Sequence, residues 1–231
     1  MGVIYKNVNY DYCAMLIISI LIITTILRRM IKGKVNRSFL EVLVVAWLTI
    51  LFDIWAVHLD NLGVQQVFTK YVAHMGYLVL HSLEMPFYIT YLVAMTDTWH
   101  LFKAKRLLAF LSSFPVLMIT GLILTSPATK WIFYINAQYE YTRGKYFTLL
   151  YVCAVIYLIY GLVYLGIHRK MFRRRYLVSL GIVFVAEIAG VAIQYFYPTS
   201  LVEMLCMSIG LLFISLMLQR PEERLDVVTG L

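Results

Sequence analysis

A series of apolar runs, each about as long as a membrane-crossing helix, constrains this chain more than any other feature. A helix needs about 20 apolar residues to cross about 30 Å of hydrocarbon. Seven runs of about this length extend over residues 10–27, 39–57, 71–95, 107–125, 146–167, 176–196 and 201–218. We therefore predict an all-α, polytopic membrane protein with seven transmembrane helices in contact with the lipid bilayer.

The composition supports this class because the chain has more apolar residues than one soluble core can bury. Hydrophobic residues make up 62% of the chain and charged residues 14%, against about 45–50% and about 25% in soluble domains. The net charge of +8 comes from short loops, not from a basic tail or stripe. Nucleic acid is therefore not an expected partner.

Most positive charges lie in three loops that follow the first, third and fifth apolar runs. These loops are RRMIKGKVNR (28–37), FKAKR (102–106) and HRKMFRRR (168–175), and with Arg220 and Arg224 they hold fifteen of the 20 Lys and Arg residues. Because Lys and Arg accumulate in cytoplasmic loops, we predict that the N-terminus is outside and the C-terminus is in the cytoplasm. Positive charge follows the first run, which favours a retained helix over a cleaved signal peptide.

Ionisable and polar residues inside the apolar runs predict a polar site. A charged side chain in hydrocarbon costs at least about 2.5–3.5 kcal/mol, so such groups usually face the bundle interior and mark a functional site. The candidates are Asp53, His74, His81, Glu84, Glu187 and Gln194. In the predicted orientation they lie between mid-membrane and the outer face, which predicts a pocket for a small molecule from outside. Glu203 begins the seventh run, where we expect solvation near the outer headgroups.

His81 and Glu84 are three residues apart and His74 lies seven residues before His81, so one helix face can carry all three. A metal site is one interpretation, since His and carboxylate at helical spacing can bind zinc or iron. A hydrogen-bonded pair of His81 and Glu84 is favoured, because one helix supplies too few ligands. We therefore predict a ligand pocket or a structural polar network, without a bound metal.

The sequence lacks the common signatures of catalysis. It contains no Gly-rich phosphate loop, no H-E-x-x-H and no G-x-S-x-G. We therefore expect no catalytic residue and no cofactor within residues 1–231.

The last six residues carry the one specific motif of the chain. The run DVVTGL, with Asp226, Thr229, Gly230 and Leu231, resembles the D-x-[LV]-T-G-L run that opens the GGDEF domain of diguanylate cyclases. In that family a short charged helix joins the last membrane helix to this run, and RPEER occupies that position here. Seven helices with an outer N-terminus also resemble the sensor regions of many bacterial membrane cyclases and histidine kinases.

This resemblance implies a seven-helix sensor over residues 1–218, followed over residues 219–231 by a cytoplasmic linker and the first residues of an output domain. The linker comprises Gln219, Arg220, Pro221, Glu222, Glu223, Arg224 and Leu225. The family makes cyclic di-GMP from two GTP as a dimer with magnesium. The resemblance therefore implies a bacterial inner-membrane location, a homodimer formed through the output domain, and GTP and magnesium for that domain. The GG[DE]EF signature is absent, so we expect a sensor truncated where its enzyme begins.

Two further functions fit the same sequence. A small-solute transporter or channel also requires buried carboxylates, and solute flux through the chain alone would distinguish it from a sensor. Alternatively, a histidine kinase follows the sensor in place of the cyclase. The residues after Leu231 distinguish a cyclase from a kinase.

Overall fold

A computed structural model of the chain describes residues 7–27, 33–98, 106–172, 174–197 and 201–218. Within these ranges the chain forms seven α-helices. They are α1 (Asn9–Leu27), α2 (Lys34–Asn61), α3 (Val67–Thr96), α4 (Arg106–Thr129), α5 (Thr148–Ile167), α6 (Arg174–Phe196) and α7 (Glu203–Leu218). The predicted all-α class is confirmed, with one unpredicted addition between α4 and α5. There β1 (Phe133–Ile135) and β2 (Tyr141–Arg143) form an antiparallel hairpin.

The lengths of the helices support a multi-pass membrane protein. Helices α1 to α6 each contain a stretch long and apolar enough to cross a membrane. Helix α7 is apolar but has 16 residues, about 24 Å at 1.5 Å per residue, which is less than the roughly 30 Å of hydrocarbon. Seven spans and the direction of insertion therefore stay predictions.

The outer face of α5 is a continuous apolar surface. Its exposed residues recur every three or four positions, which places them on one side of the helix. They are Val152, Val155, Ile156, Ile159, Leu162 and Val163. A soluble protein rarely exposes so large an apolar patch, whereas lipid solvates it. The face therefore agrees with contact between the bundle and the bilayer.

Helix α1 packs between α2 and α7, α6 packs along α7, and α3 contacts α2, α4 and α5. Small residues allow the closest helix contacts, as is common in membrane bundles. A Cβ atom added to Gly190 of α6 would lie 2.9 Å from Cα of Glu203 in α7. On α3, Gly76 leaves room for the Phe52 ring of α2, which an added Cβ would approach to 2.2 Å.

The two ends of the helix bundle differ in their structural elements and in their charged residues. Helices α1, α3 and α7 begin at one end of the bundle. We call it the hairpin end, because the β-hairpin follows α4 there. At the opposite end, the basic end, α2 and α6 begin with Lys34 and Arg174, and Arg169 and Lys170 follow α5. The described basic residues next to α2, α5 and α6 therefore lie at this end.

Helices α2 and α3 extend well beyond the apolar runs from which they were predicted. They have 28 and 30 residues, which correspond to about 42 and 45 Å. Nε2 of His81 lies 3.4 Å from Oε1 of Glu203, so α7 begins beside the fourth turn of α3. The first part of α3 therefore extends about 20 Å past the start of α7 at the hairpin end.

Candidate functional site

Five carboxyl groups and one imidazole from five helices come together where α1 and α7 begin. We call this set the acidic cluster. Its members are Asp11 of α1, Asp53 of α2, His81 and Glu84 of α3, Glu187 of α6 and Glu203 of α7. All five carboxyl-bearing residues are buried. The sequence predicted that Asp53, His81, Glu84 and Glu187 share a site. His81 contacts Glu84, and both are charged neighbours of Glu187, whereas Asp53 is a charged neighbour of Asp11 and Tyr77.

His81 lies between two of the carboxyl groups. Its Nδ1 is 3.2 Å from Oε2 of Glu84, and its Nε2 is 3.4 Å from Oε1 of Glu203. An imidazole can donate from both nitrogens only when it is protonated, so this pair of contacts suits a positively charged His81. The ring of Tyr77 stacks on the imidazole, with centroids 5.6 Å apart and an angle of 14° between the planes. His81 is thereby held in one orientation.

Several carboxylate oxygens of the acidic cluster have no hydrogen-bond partner among the described residues. The buried oxygens without such a partner are both oxygens of Asp11, Oε1 of Glu84 and Oε2 of Glu187. Asp11 is fully buried, and among the described residues the carboxyl groups of Asp53 and Glu203 act on it as charged neighbours. A buried polar group left without a partner costs about 1–3 kcal/mol, and more when it is charged. Buried polar groups of this kind often have a functional role or bind an ordered water or ion.

Close packing of α6 against α7 brings Glu187 into the cluster. Gly190 lies one turn after Glu187, and its missing side chain lets the backbone of Glu203 approach. The charged neighbours of Glu187 are Glu203, Glu84 and His81. The α6–α7 contact therefore sets the distance between the carboxyl groups of these two helices.

A second polar group, the hairpin cluster, lies between the α2–α3 turn and the β-hairpin. Nζ of Lys70 donates to the backbone oxygen of Tyr139 at 2.6 Å and lies 3.4 Å from Oδ1 of Asp60. Nε2 of His74 is 3.3 Å from the same Asp60 oxygen, and its ring stacks on Tyr141 at 4.4 Å. Burial raises the pKa of the Tyr141 hydroxyl above its usual range. These contacts fasten the hairpin to the bundle.

The hairpin cluster changes the role predicted for His74. The sequence placed His74 with His81 and Glu84 on one helix face. The structure instead pairs His74 with Asp60, because two turns of α3 separate the histidines by about 10 Å along the axis. His74 therefore contributes to hairpin attachment.

The remaining predicted positions divide into three groups. Glu203, expected to be solvated, is only 7% exposed and contacts His81. Gln194 lies in α6, but its side chain falls outside the described part of the chain. The predicted linker and the Asp226, Thr229, Gly230 and Leu231 motif also lie outside the described residues.

Sequence reasoning missed Asp11 and Tyr77 as members of the site. Asp11 stands in the first turn of α1, where an acidic residue is expected simply to interact with the helix dipole. Tyr77 was one of many aromatic residues, although its position four residues before His81 puts both on one face of α3. The Tyr77 hydroxyl lies within electrostatic range of Asp53, Glu203, Asp11 and Glu84.

The comparisons with known proteins assign no role to these residues. No protein-family model matches the chain, and no curated protein and no solved structure matches it either. Within the described ranges, no three His, Cys, Asp or Glu side chains are grouped so as to hold a metal ion. The chemistry of the acidic cluster must therefore be inferred from its own side chains.

Proposed function

We propose that this chain is the sensory input module of a bacterial membrane-bound diguanylate cyclase. It lies in the inner membrane with its N-terminus outside, crosses the bilayer seven times and performs no catalysis within residues 1–231. The output domain makes cyclic di-GMP from GTP with magnesium, as a homodimer. The observation that carries this proposal is the DVVTGL run at residues 226–231, which follows α7 after a short charged segment.

The direction of α7 supports the proposal. This helix runs from the hairpin end to Leu218 at the basic end, where the basic loops favour the cytoplasm. A segment that follows α7 is therefore on the side where GTP is available. The acidic cluster lies toward the hairpin end, and we propose that its ligand comes from outside the cell.

The α6–α7 contact gives a route from ligand to output. A ligand bound between Glu187 of α6 and Glu203 of α7 interacts with both helices, and α7 leads directly to the linker at residues 219–225. A ligand shifts a conformational equilibrium only by its differential affinity for the two states. We therefore propose that the packing of α3, α6 and α7 around the cluster differs between the bound and free states.

Signalling in an intact parent protein tests the sensory role. Glu84→Gln and Glu187→Gln keep the side-chain shape but remove the charge, so both are expected to change the cellular level of cyclic di-GMP. Glu41→Gln is the matched control, because Glu41 pairs with Arg37 near the basic end at 3.2 Å. Unchanged cyclic di-GMP in both cluster variants would remove the pocket from the proposal.

The coding region downstream of Leu231 tests the output. The proposal expects an open reading frame with a GG[DE]EF signature within about 100–200 residues, roughly one domain. A phosphoacceptor helix there would identify a histidine kinase instead. A stop codon directly after Leu231 would contradict the cyclase proposal.

A small-solute transporter or channel is the second candidate, favoured by the buried carboxylate oxygens that have no hydrogen-bond partner among the described residues. Such groups occur along solute and proton pathways. Flux through vesicles that contain this chain alone distinguishes the two, because a sensor carries no solute. Measurable uptake or current would favour transport over sensing.

A further inference from the structure

We propose that an anionic phospholipid binds where the base of the β-hairpin meets the outer face of α5. Arg143 and Lys145 hold its phosphate group, and one acyl chain extends along α5 from Tyr151. This lipid site does not depend on the sensory function.

The base of the hairpin lies where two membrane helices end. The apolar span of α4 ends at Thr129, and that of α5 begins at Thr148. We give the name hairpin base to Lys130, Trp131 and residues 143–147, which adjoin these two helix ends. Because the spans on both sides are apolar enough for hydrocarbon, the hairpin base lies at the level of the lipid headgroups.

Close backbone contacts hold the two segments of the hairpin base together. The backbone nitrogen of Tyr146 donates to the backbone oxygen of Trp131 at 2.9 Å, and their rings meet edge to face with centroids 5.8 Å apart. A Cβ atom added to Gly144 would lie 2.3 Å from the same Trp131 oxygen, so a side chain here would force the segments apart. Lys130 and Lys145 therefore come from neighbouring backbone segments.

The exposed cations of the hairpin base lie beside aromatic rings and have no acidic partner. The guanidinium carbon of Arg143 is 4.6 Å from the ring centroid of Phe147, and Nζ of Lys145 is 5.5 Å from that of Tyr146. Among the described residues, no carboxylate forms an ion pair with Arg143, Lys145 or Lys130. Stacking on a ring leaves the donors in the guanidinium plane available to an anion.

Aromatic contacts continue from Arg143 onto the outer face of α5. The rings of Phe147 and Tyr151 lie edge to face with centroids 5.8 Å apart, and Tyr151 is exposed. Val155 and Ile159 are also exposed and follow one and two turns further along the same side of the helix. A cation, two rings and an apolar stripe thus form one continuous line.

This line fits a ligand with an anionic group at one end and a long apolar part. A phosphate group accepts two parallel hydrogen bonds from a guanidinium group, and an acyl chain covers the apolar stripe. Glu140 is the one carboxylate in residues 130–147, and it contacts Asn136 at the hairpin turn. The hairpin base is therefore positively charged, which favours an anionic lipid over a zwitterionic one.

Titration of the purified full chain in neutral detergent micelles with dioleoyl phosphatidylglycerol tests the proposal. Dioleoyl phosphatidylcholine has the same acyl chains without net charge, and inorganic phosphate has the charge without acyl chains. A ligand that binds the native state raises the midpoint of thermal unfolding in a saturable way. We expect this behaviour for phosphatidylglycerol and only a small, unsaturable change for the two controls.

Charge-removing variants locate the headgroup. Arg143→Gln and Lys145→Gln are each expected to weaken phosphatidylglycerol binding about fivefold, the usual contribution of one basic residue at an anionic lipid surface. Lys34→Gln is the matched control, because it removes the same charge from an exposed position at the basic end. It is expected to bind phosphatidylglycerol like the unsubstituted chain. If one variant of the hairpin base fails to fold, the other still decides.

Tryptophan fluorescence locates the acyl chains. Bromine atoms in the chains of phosphatidylglycerol quench a nearby indole. Trp131 and Trp55 are both exposed, but only Trp131 lies in the hairpin base. We expect Trp131→Phe to remove most of the saturable quenching and Trp55→Phe to retain it.

Any of four results would overturn the proposal. The first is the absence of saturable stabilisation by phosphatidylglycerol, and the second is equal stabilisation by phosphatidylcholine or inorganic phosphate. The third is an affinity in Arg143→Gln and Lys145→Gln no lower than in Lys34→Gln. The fourth is unchanged saturable quenching in Trp131→Phe.

Discussion

Replacing Gly190 by alanine tests whether close packing of α6 against α7 builds the acidic cluster. The added Cβ would lie 2.9 Å from Cα of Glu203 and 3.2 Å from Cβ of Cys206. Because the first of these atoms belongs to the backbone, α7 itself must move. Overpacking of this kind typically costs about 1–3 kcal/mol. Glycine-to-alanine replacement in a helix otherwise gains about 1 kcal/mol, so we expect net destabilisation of up to about 2 kcal/mol.

Gly181→Ala is the matched control within the same helix. An added Cβ at Gly181 meets no atom within 4 Å, so this variant is expected to be stabilised by up to about 1 kcal/mol from helix propensity. Reversible unfolding in mixed detergent micelles gives the free energy of unfolding of both variants. If Gly190→Ala is as stable as Gly181→Ala, the close approach of α6 to α7 is wrong, and the route from Glu187 to α7 loses its basis.

Three other predictions concern contacts away from the cluster. Lys70→Met removes the hydrogen bond to the Tyr139 carbonyl. A hydrogen bond from a charged group contributes about 1.5–3 kcal/mol, so we expect limited proteolysis to cleave the β-hairpin about tenfold faster or more. Tyr88→Phe removes the 2.7 Å hydrogen bond to the backbone oxygen of Leu180 and is expected to lower the free energy of unfolding by about 1 kcal/mol; no change would contradict this α3–α6 contact. Phe133→Ala removes a fully buried ring and is expected to cost about 3–5 kcal/mol, measured by the same unfolding assay.

Much of the fold could be predicted from the chain alone, because each membrane helix satisfies its own backbone hydrogen bonds. The predicted runs 39–57 and 71–95 lie inside α2 and α3, but both helices extend further in the structure. The extensions are polar enough to end the apolar pattern, as at Asp60 and Lys70. Hydropathy therefore identified the segments compatible with lipid but not the parts of the helices that continue beyond them.

The candidate site could be predicted only in part. An ionisable residue inside an apolar run can be recognised from the sequence alone. Asp53, Glu84 and Glu187 were predicted in this way. Asp11 lies in the first turn of its helix and carries no such signal. Its burial results from α1 packing between α2 and α7, which depends on contacts between distant segments.

The sequence by itself determined that this chain forms apolar helices, where they lie and which loops carry the positive charge, because these properties follow from local composition and helix geometry. Apart from the pair of His81 and Glu84, which helical spacing predicted, tertiary structure decided which polar groups meet. His74 and His81 fit one helix face, yet one pairs with Asp60 and the other with Glu203. Their partners come from different helices, and only the packing of those helices sets which carboxyl group lies beside each imidazole.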